Sequence, residues 1–442
     1  SSSSAASDVY KRQGMSRAGS IWAVTATYNE AENLPELAAG LLALPTPVTL
    51  VIVDDNSPDG TGDLADRLAA EHPGRFHALH RPEKLGYASA HLLGIQYALA
   101  HGAQVVLTMD ADLSHEPARI PDMLAALTDA DVVVGSVPGF MGYRTMERVI
   151  KNGKNFVDIA FMAEDARKLD KIAKKEGVTV VYDCGVAPGI SNMVVGHFAA
   201  SFDSLSSARI YVGGLPEERS WPYQYKAPFS PSDVLEEYVR PARYVKNGKM
   251  VEMPALSEPE LMSFENVGEL EAFNTDGLRS LIDTIACPNM VEKTLRYPGH
   301  IELMRVLRES GFFSLESVDV NGVAVRPRDL TSTLLFPMWE LGPNEREFTV
   351  MRIVVEGMMN EKMVRYTCNL LDRYDEKSGF SSMSRTTGFP CTIIAREVAS
   401  GRFEKPGVHP PELLGKIDNI FDTVVTGLTK RRVILDFETT QP

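Results

Sequence analysis

Leu107-Thr-Met-Asp-Ala-Asp-Leu-Ser-His-Glu-Pro117 decides how the front of this chain folds. An apolar run from Val105 to Leu107 enters it as a buried strand would, and Asp110 and Asp112 stand one residue apart where that strand should end. Hard divalent cations take oxygen ligands, so a D-x-D at a strand end can offer two carboxylates to one Mg²⁺ or Mn²⁺. Taken alone, the pair reads first as a solvated acidic turn. Its surroundings decide between the two.

Working outward, strand and helix patterns alternate. Ile21 to Ala26 reads as a strand breaking at Thr27-Tyr-Asn-Glu30, and Asn33 to Leu44 carries leucines at helical spacing. Thr49 to Val53 is a second strand ending at Asp54-Asp-Asn-Ser-Pro-Asp-Gly-Thr61, followed by a helix from Gly62 to Glu71. Phe76 to Leu79, the loop Arg81 to Gly86, a helix from Ala88 to Ala100 and the strand Val105 to Met109 continue the alternation, which predicts a parallel sheet flanked by helices. Glu30, the pair Asp54 and Asp55, and the pair Asp110 and Asp112 then all follow strands. Such sheets bind ligands beyond the carboxyl ends of their strands, so the clusters should converge on one site. Lys84 can set a positive charge against phosphate there, or be a solvated loop lysine.

Thr27-Tyr-Asn-Glu30, Val53-Asp-Asp-Asn-Ser-Pro-Asp-Gly-Thr61, Lys84-Leu-Gly86 and Met109-Asp-Ala-Asp-Leu-Ser-His-Glu-Pro117 together resemble the inverting family 2 glycosyltransferases, in the dolichol or polyprenol phosphate mannose synthase branch. The resemblance covers about Ile21 to Ser136. It implies a GT-A fold, a GDP-mannose donor, a divalent metal at Asp110 and Asp112, and nucleotide contacts from Tyr28, Glu30 and Asp55, with His115 orienting the loop. After Asp131-Val-Val-Val-Gly-Ser136 the family pattern of an arginine and a glycine-rich acceptor loop is replaced by Val137-Pro-Gly-Phe140. Only the donor half of a site is expected.

From Phe140 the texture changes. Helices are read at Tyr143 to Asn152 and Ala163 to Glu176, strands at Phe156 to Phe161 and Val178 to Tyr182, and a glycine-bearing turn at Asp183-Cys-Gly-Val-Ala-Pro-Gly-Ile-Ser-Asn192. Gly185 and Gly189 allow close backbone approach and Ser191 can cap the next helix, so the turn either receives an anionic group or is a plain tight turn. Ala208 to Leu215 is a strand and Ser232 to Tyr238 a helix. Asn247-Gly248 and Asn321-Gly322 mark hairpins. Thr349 to Glu356 and Lys362 to Asn369 add antiparallel sheet, and a helix from Pro411 to Leu428 and a strand from Val433 to Phe437 close the chain.

Phe156-Val-Asp-Ile159, the Asp183 to Asn192 turn, Val212-Gly-Gly-Leu-Pro216, Arg240-Pro-Ala-Arg243 and Leu295-Arg-Tyr-Pro-Gly-His300 resemble the saccharopine dehydrogenase or saccharopine reductase family, over about Val137 to Thr440. That resemblance implies an NAD(P)-dependent oxidoreductase acting on the C–N bond of an imino-linked amino acid. It implies substrate contacts from Asp158, Gly185, Pro188, Gly189, Asn192 and Arg243, with Lys226, Tyr297 and His300 as weaker candidates; a buried histidine is more often a satisfied core residue. A dinucleotide enzyme needs G-x-G-x-x-G on its first strand-turn-helix unit, where pyrophosphate meets bare backbone. That spacing is absent from the chain.

The expected fold class is therefore α/β: a partial GT-A/Rossmann-like parallel sheet joined to an α/β substrate domain with a large mixed sheet. The expected divisions are 1–19, 20–136 and 137–442. Ser1 to Gln13 ends in Asp8-Val-Tyr-Lys-Arg-Gln13, which resembles a translated sequencing-library adapter and favours mis-joined fragments over a true fusion as the origin of the junction near Val137. With 442 residues, 44% hydrophobic and 24% charged, the chain has globular composition, and a net charge of -14 argues against a nucleic-acid surface. Cys184, Cys287, Cys368 and Cys391 form no C-x-x-C and read as reduced core thiols of a cytoplasmic protein, with a homodimer as one expected assembly. No apolar run is long enough to span a membrane. Three functions are set out: a saccharopine dehydrogenase-like oxidoreductase unable to seat its cofactor, a metal-dependent mannosyltransferase with a donor half only, and a non-catalytic nucleotide-binding chimera.

Overall fold

The computed structural model describes residues 21–82, 87–103, 105–112, 116–121, 131–342 and 345–441. Its contacts divide the chain into two compact units, 1–130 and 131–442.

In the first unit, strands β1 (Ile21–Thr27), β2 (Val48–Asp54), β3 (Phe76–His80) and β4 (Val105–Thr108) form a parallel sheet of order β3-β2-β1-β4. Helices α1 (Leu34–Leu42), α2 (Thr61–Glu71) and α3 (Tyr87–Ala100) connect them. β2 is buried at all but one position, as a central parallel strand covered on both faces must be. α1 buries Leu34, Leu37, Ala38 and Leu41, the i, i+3, i+4, i+7 stripe. Each such leucine contributes about 2 kcal/mol of apolar transfer on leaving water.

The second unit begins with β5 (Val132–Gly135), which pairs in parallel with β6 (Asn155–Asp158); β6 pairs with β7 (Thr179–Val181), and β7 with β18 (Gly407–His409). The segment that ends the glycosyltransferase-like motif series is thus hydrogen-bonded into the sheet of the following unit. Helix α4 (Gly139–Lys151) follows β5, α5 (Asp170–Glu176) precedes β7, and α6 (Ile190–Ser201) follows it. A nine-stranded mixed sheet comes next. It contains β8 (Ser204–Pro216), β9 (Ala242–Lys246), β10 (Lys249–Met253), β11 (Glu260–Phe264), β12 (Gly268–Asn274) and β13 (Met290–Arg296). The hairpin β14 (Val318–Val320) and β15 (Val323–Val325) stands apart, and β16 (Glu347–Met359), β17 (Lys362–Arg373) and β19 (Asp436–Thr440) complete the large sheet. Among its helices are α7 (Pro231–Val239), α8 (His300–Glu309), α9 (Pro327–Trp339), α10 (Ser382–Ala399), α11 (Pro411–Gly415) and α12 (Asp418–Lys430). A core containing Met193, Val212, Met351, Ile394 and Val424 joins α6, α10 and α12 to the sheet.

Several expectations are corrected. The helix read from Pro411 to Leu428 is two helices, because Ile417, in an extended conformation, starts a new one at Asp418. Ala163 to Glu176 is helical only from Ala166, first as a 3₁₀ turn capped by the Asp165 side chain, then as α5 up to left-handed Gly177. Ser191 lies inside α6 rather than at its cap and donates to Asn192 Oδ1 at 2.9 Å. The strand read at Val433 begins at Asp436 and pairs with β17. All four cysteines are buried and unpaired. Among the described residues no helix is long and apolar enough to cross a membrane.

Candidate functional site

In the first unit the loops after β1 and β2 are stitched together. Backbone N–H groups of Asn29, Glu30 and Ala31 donate to Ser57 Oγ (3.1 Å), Thr61 Oγ1 (2.9 Å) and Asp59 Oδ2 (3.1 Å). Asn29 and Asn56 adopt left-handed conformations at φ 64° and 57°, which asparagine tolerates best after glycine. Thr27 Oγ1 donates to buried Asp54 at 3.0 Å, tying the two strand ends. Asp55 is buried and receives both Nε and Nη2 of Arg81, an ion pair whose side chains are 6% and 5% exposed. Such forked charge-assisted bonds fix the loop's orientation. Glu30 accepts from Asn33 Nδ2 at 2.8 Å, and Tyr28 is exposed. β4 lies beside β1, with Met109 N–H donating to Val24 O at 3.0 Å, and Asp110 and Asp112 follow directly, half-buried and exposed. Lys84 and His115 lie outside the described residues. Among the described residues no three acidic, histidine or cysteine side chains cluster as ligands. Asp110 and Asp112 would hold a divalent metal with ligand phosphates and water completing its shell, the usual arrangement for Mg²⁺.

The second unit holds a cavity of about 480 Å³. The segments after three parallel strands line it: Ser136 to Gly139 after β5, Ile159 to Phe161 after β6, and Gly185 to Pro188 after β7. This is the crevice at the carboxyl ends of a parallel sheet. Across from them, α7 presents Asp233, Glu236, Glu237 and Arg240, an i, i+3, i+4, i+7 stripe, and β13 presents Glu292, Thr294 and Arg296 at strand period. Arg296 is fully engaged. It donates to Glu237 at 2.6 Å, to Tyr238 Oη at 3.2 Å and to Leu295 O at 3.0 Å, and it lies 4.4 Å from the Tyr225 ring centre. Glu292 accepts from Thr275 Oγ1 (2.5 Å) and Gly277 N–H (3.0 Å); burial pushes its carboxyl up to about 8 against those two bonds.

The residues expected in the substrate site divide into wall and support. Gly185 and Pro188 line the cavity. Gly189 has φ 142°, and a Cβ there would fall 1.9 Å from Gly185 O, so the turn requires glycine. Asn192 is buried, accepting from Gly189 N–H at 3.3 Å and donating to Leu278 O at 3.4 Å. Asp158 sits behind the wall. Its Oδ1 accepts from Ala160 N–H at 3.1 Å, its Oδ2 is buried without a partner, and burial, with neighbouring Asp183, raises its carboxyl to about 6. Arg243 clamps Asp276, which lines the cavity, through bonds of 2.8 and 2.9 Å. Lys226 pairs with Glu345 and the Glu340 carbonyl, and Tyr297 donates to Pro216 O at 2.8 Å. His300 Nδ1 donates to Tyr223 O at 2.9 Å and its Nε2 accepts from Tyr238 Oη at 2.9 Å. Burial and nearby Arg296 hold it neutral, its pKa pushed down to about 3. Sequence reasoning missed the α7 stripe, Glu292, and the buried Arg279–Asp183 pair at 3.0 Å. The signal was there: four charged residues at helical spacing in Pro231–Val239 and its C-cap, and alternating polar residues in an otherwise apolar strand.

A dinucleotide pyrophosphate does not fit the described helix end after β2 in the first unit. The nearest spacing to its fingerprint, Gly60-Thr-Gly62-Asp-Leu-Ala65, follows β2 rather than β1. The helix end it opens is already filled, because Asp59 Oδ1 accepts from Thr61 N–H (3.1 Å) and Thr61 Oγ1 (2.6 Å). A second anion there would meet like charge.

Fold and site together define an α/β substrate domain of the dehydrogenase type, preceded by a GT-A-like parallel sheet. The saccharopine dehydrogenase C-terminal domain family matches residues 185–434, and glycosyl transferase family 2 matches residues 22–187. The chain belongs to the saccharopine dehydrogenase family through that C-terminal domain and carries a family 2 glycosyltransferase segment in front of it. An undecaprenyl-phosphate mannosyltransferase of Micrococcus luteus is 39% identical over 170 residues, 34% of this chain and 69% of that protein. The NADP⁺-dependent, L-glutamate-forming saccharopine dehydrogenase of Schizosaccharomyces pombe is 22% identical over 389 residues, 71% of this chain and 86% of that protein. The apo saccharopine dehydrogenase structure from Saccharomyces cerevisiae aligns with a TM-score of 0.58 at 18% identity, covering 95% of this chain and 100% of that one, a likeness of fold.

Proposed function

We propose that residues 131–441 are the substrate-binding body of an oxidoreductase acting on the C–N bond of an imino-linked amino acid, and that this chain does not seat the NAD(P) such chemistry uses. The cavity carries the reading. Three post-strand loops and the mixed sheet line it, in keeping with a site that fixes a ligand's orientation. A nicotinamide cofactor would supply the hydride; the carboxylates Glu30, Asp54, Asp55 and Asp59 at the first two strand ends oppose its pyrophosphate. The chain is therefore expected to bind a substrate without turning it over. The test is replacement of residues 21–130 by a segment bearing an intact G-x-G-x-x-G unit. NAD(P)H oxidation with an imine substrate should appear, and Gly388→Leu, which projects into the cavity where no atom lies within 4 Å, should abolish it. Oxidation that persists in Gly388→Leu would refute the cavity as the site.

A second reading rests on the stitched loops and the D-x-D. The first unit is a donor half-site for GDP-mannose, with Asp110 and Asp112 holding Mg²⁺ or Mn²⁺. The metal would screen the diphosphate and ease its departure, while Tyr28 and Glu30 would contact the nucleoside. GDP-mannose with Mn²⁺ should raise the melting temperature of the chain, and Asp112→Asn should remove the shift. An equal shift in Asp112→Asn would exclude the metal site.

A further inference from the structure

α8 and α9 each bury one apolar stripe and expose a second beside it. α9 packs Thr331, Leu335 and Trp339 inward, while Leu330, Leu334 and Met338, spaced i, i+4, i+8, stand in solvent, Leu334 at 63% exposure. α8 buries Ile301 and Met304 and exposes Leu303 and Val306. The turn after α8 exposes Phe312 and Leu315. It is tied to the start of α9, because Arg328 N–H donates to Ser314 O at 3.0 Å and Thr331 Oγ1 to Phe312 O at 2.8 Å. The hairpin β14–β15 joins turn to helix and adds exposed Val318, Val320 and Val323; two strands without a third are marginal in water. Single exposed leucines are ordinary, whereas a run of apolar residues over two helices, a turn and a hairpin marks a surface that is covered in use.

The charges limit what can cover it. No lysine occurs between Lys293 and Lys362. The arginines of this stretch are paired within the chain: Arg305 with Glu302 at 3.6 Å, Arg308 with Glu309 at 2.7 Å, Arg326 with Asp329 at 3.3 Å and Arg328 with Glu236 at 2.9 Å. A nucleic acid or an acidic lipid surface would find no unspent cation here. Apolar, free of lysine and furnished with arginine, the surface has instead the composition of protein–protein contacts. The α9 stripe is also its own complement. With Leu334 on a two-fold axis, Leu330 of one copy meets Met338 of the other, and the i±4 ridges of two identical helices interdigitate. We propose that α9 docks against α9 of a second copy of this chain about a two-fold axis at Leu334, with the turn after α8 and the hairpin at the rim. This contact is independent of what the cavity binds.

Sedimentation equilibrium of the full chain from about 1 to 100 µM should show association to twice the chain mass. Raising NaCl from about 0.05 to 0.5 M should tighten it several-fold, since two copies of net charge -14 repel each other less when screened. Leu334→Asp should weaken association at least tenfold with native far-UV circular dichroism. Leu261→Asp, at a residue 62% exposed on β11 of the large sheet, should leave association unchanged. A residue on a two-fold axis faces its own counterpart, and the native cysteines are all buried. Leu334→Cys should therefore cross-link two copies in oxidised glutathione, which takes up two electrons and two protons from the introduced thiols to give two glutathione thiols. Leu261→Cys should not. A monomer throughout the concentration range, a dimer that survives Leu334→Asp or is lost in Leu261→Asp, or a cross-link no faster in Leu334→Cys than in Leu261→Cys would overturn the proposal.

Discussion

Glu292→Gln should change how stability depends on pH. In the folded chain the carboxyl is enclosed by Thr275, Gly277 and the β13 wall, and it titrates near 8 rather than at the ordinary 4.5 because burial disfavours the anion. Between those values the folded state holds a proton that the unfolded state has released, so stability is full below 4.5 and is lost as pH rises through about 8. At about 1.4 kcal/mol per pH unit, the loss across the whole window is of the order of 5 kcal/mol, and roughly 3 kcal/mol of it falls between pH 5.5 and 8. Glutamine cannot ionise and can keep both hydrogen bonds, so the variant should lack this component. Asp158, raised to about 6, and Glu347, raised to about 7, weaken the fold in the same direction, while His300, lowered to about 3, weakens it as pH falls below 6.5. These groups are common to both proteins and cancel in the difference. Urea unfolding of the second unit at a series of pH values should show the variant gaining on the native chain from pH 5.5 to 8. Parallel profiles would refute the placement of a neutral, buried Glu292 in the cavity wall.

Two further substitutions probe the supports of that wall. Gly189→Ala forces a Cβ into Gly185 O at a φ of 142°, and should cost about 3 kcal/mol or more in urea unfolding, while the melting of the first unit is unchanged. Arg279→Ala strands Asp183, which is 1% exposed beside it at 3.0 Å, and should cost about 3–5 kcal/mol at pH 7 by the same assay, with part of the loss recovered in Asp183→Asn, Arg279→Ala.

The first unit was largely legible because its strands are short apolar runs ending in acidic turns, and each of the four strands lies within two residues of its sequence reading. The Asn-Gly hairpins were equally plain, since few residues other than asparagine and glycine take the left-handed turn at Asn247 and Gly248. α10 was not foreseen. Its Pro390, Gly388 and five hydroxyl residues between Ser382 and Thr392 speak against a helix, and burial against β16 and α12 overrides that propensity. The break at Lys416 and Ile417 was invisible because both flanking segments share one apolar period. Among site residues, the turn glycines were readable from their spacing. The roles of Asp158, Asn192 and Arg243 were not, because a motif shows that a polar residue matters without showing whether it faces the ligand or holds the residue that does. The α7 stripe becomes a binding surface only when β13 is brought opposite it, which no local pattern encodes.

A dehydrogenase-type substrate body here follows a sheet whose strand ends oppose a dinucleotide. Equilibrium titration of the intact 442-residue chain with NADPH, read by nicotinamide fluorescence, tests it most directly. No saturable binding is expected in the micromolar range; saturable micromolar binding of NADPH would show that the strand ends do seat the dinucleotide.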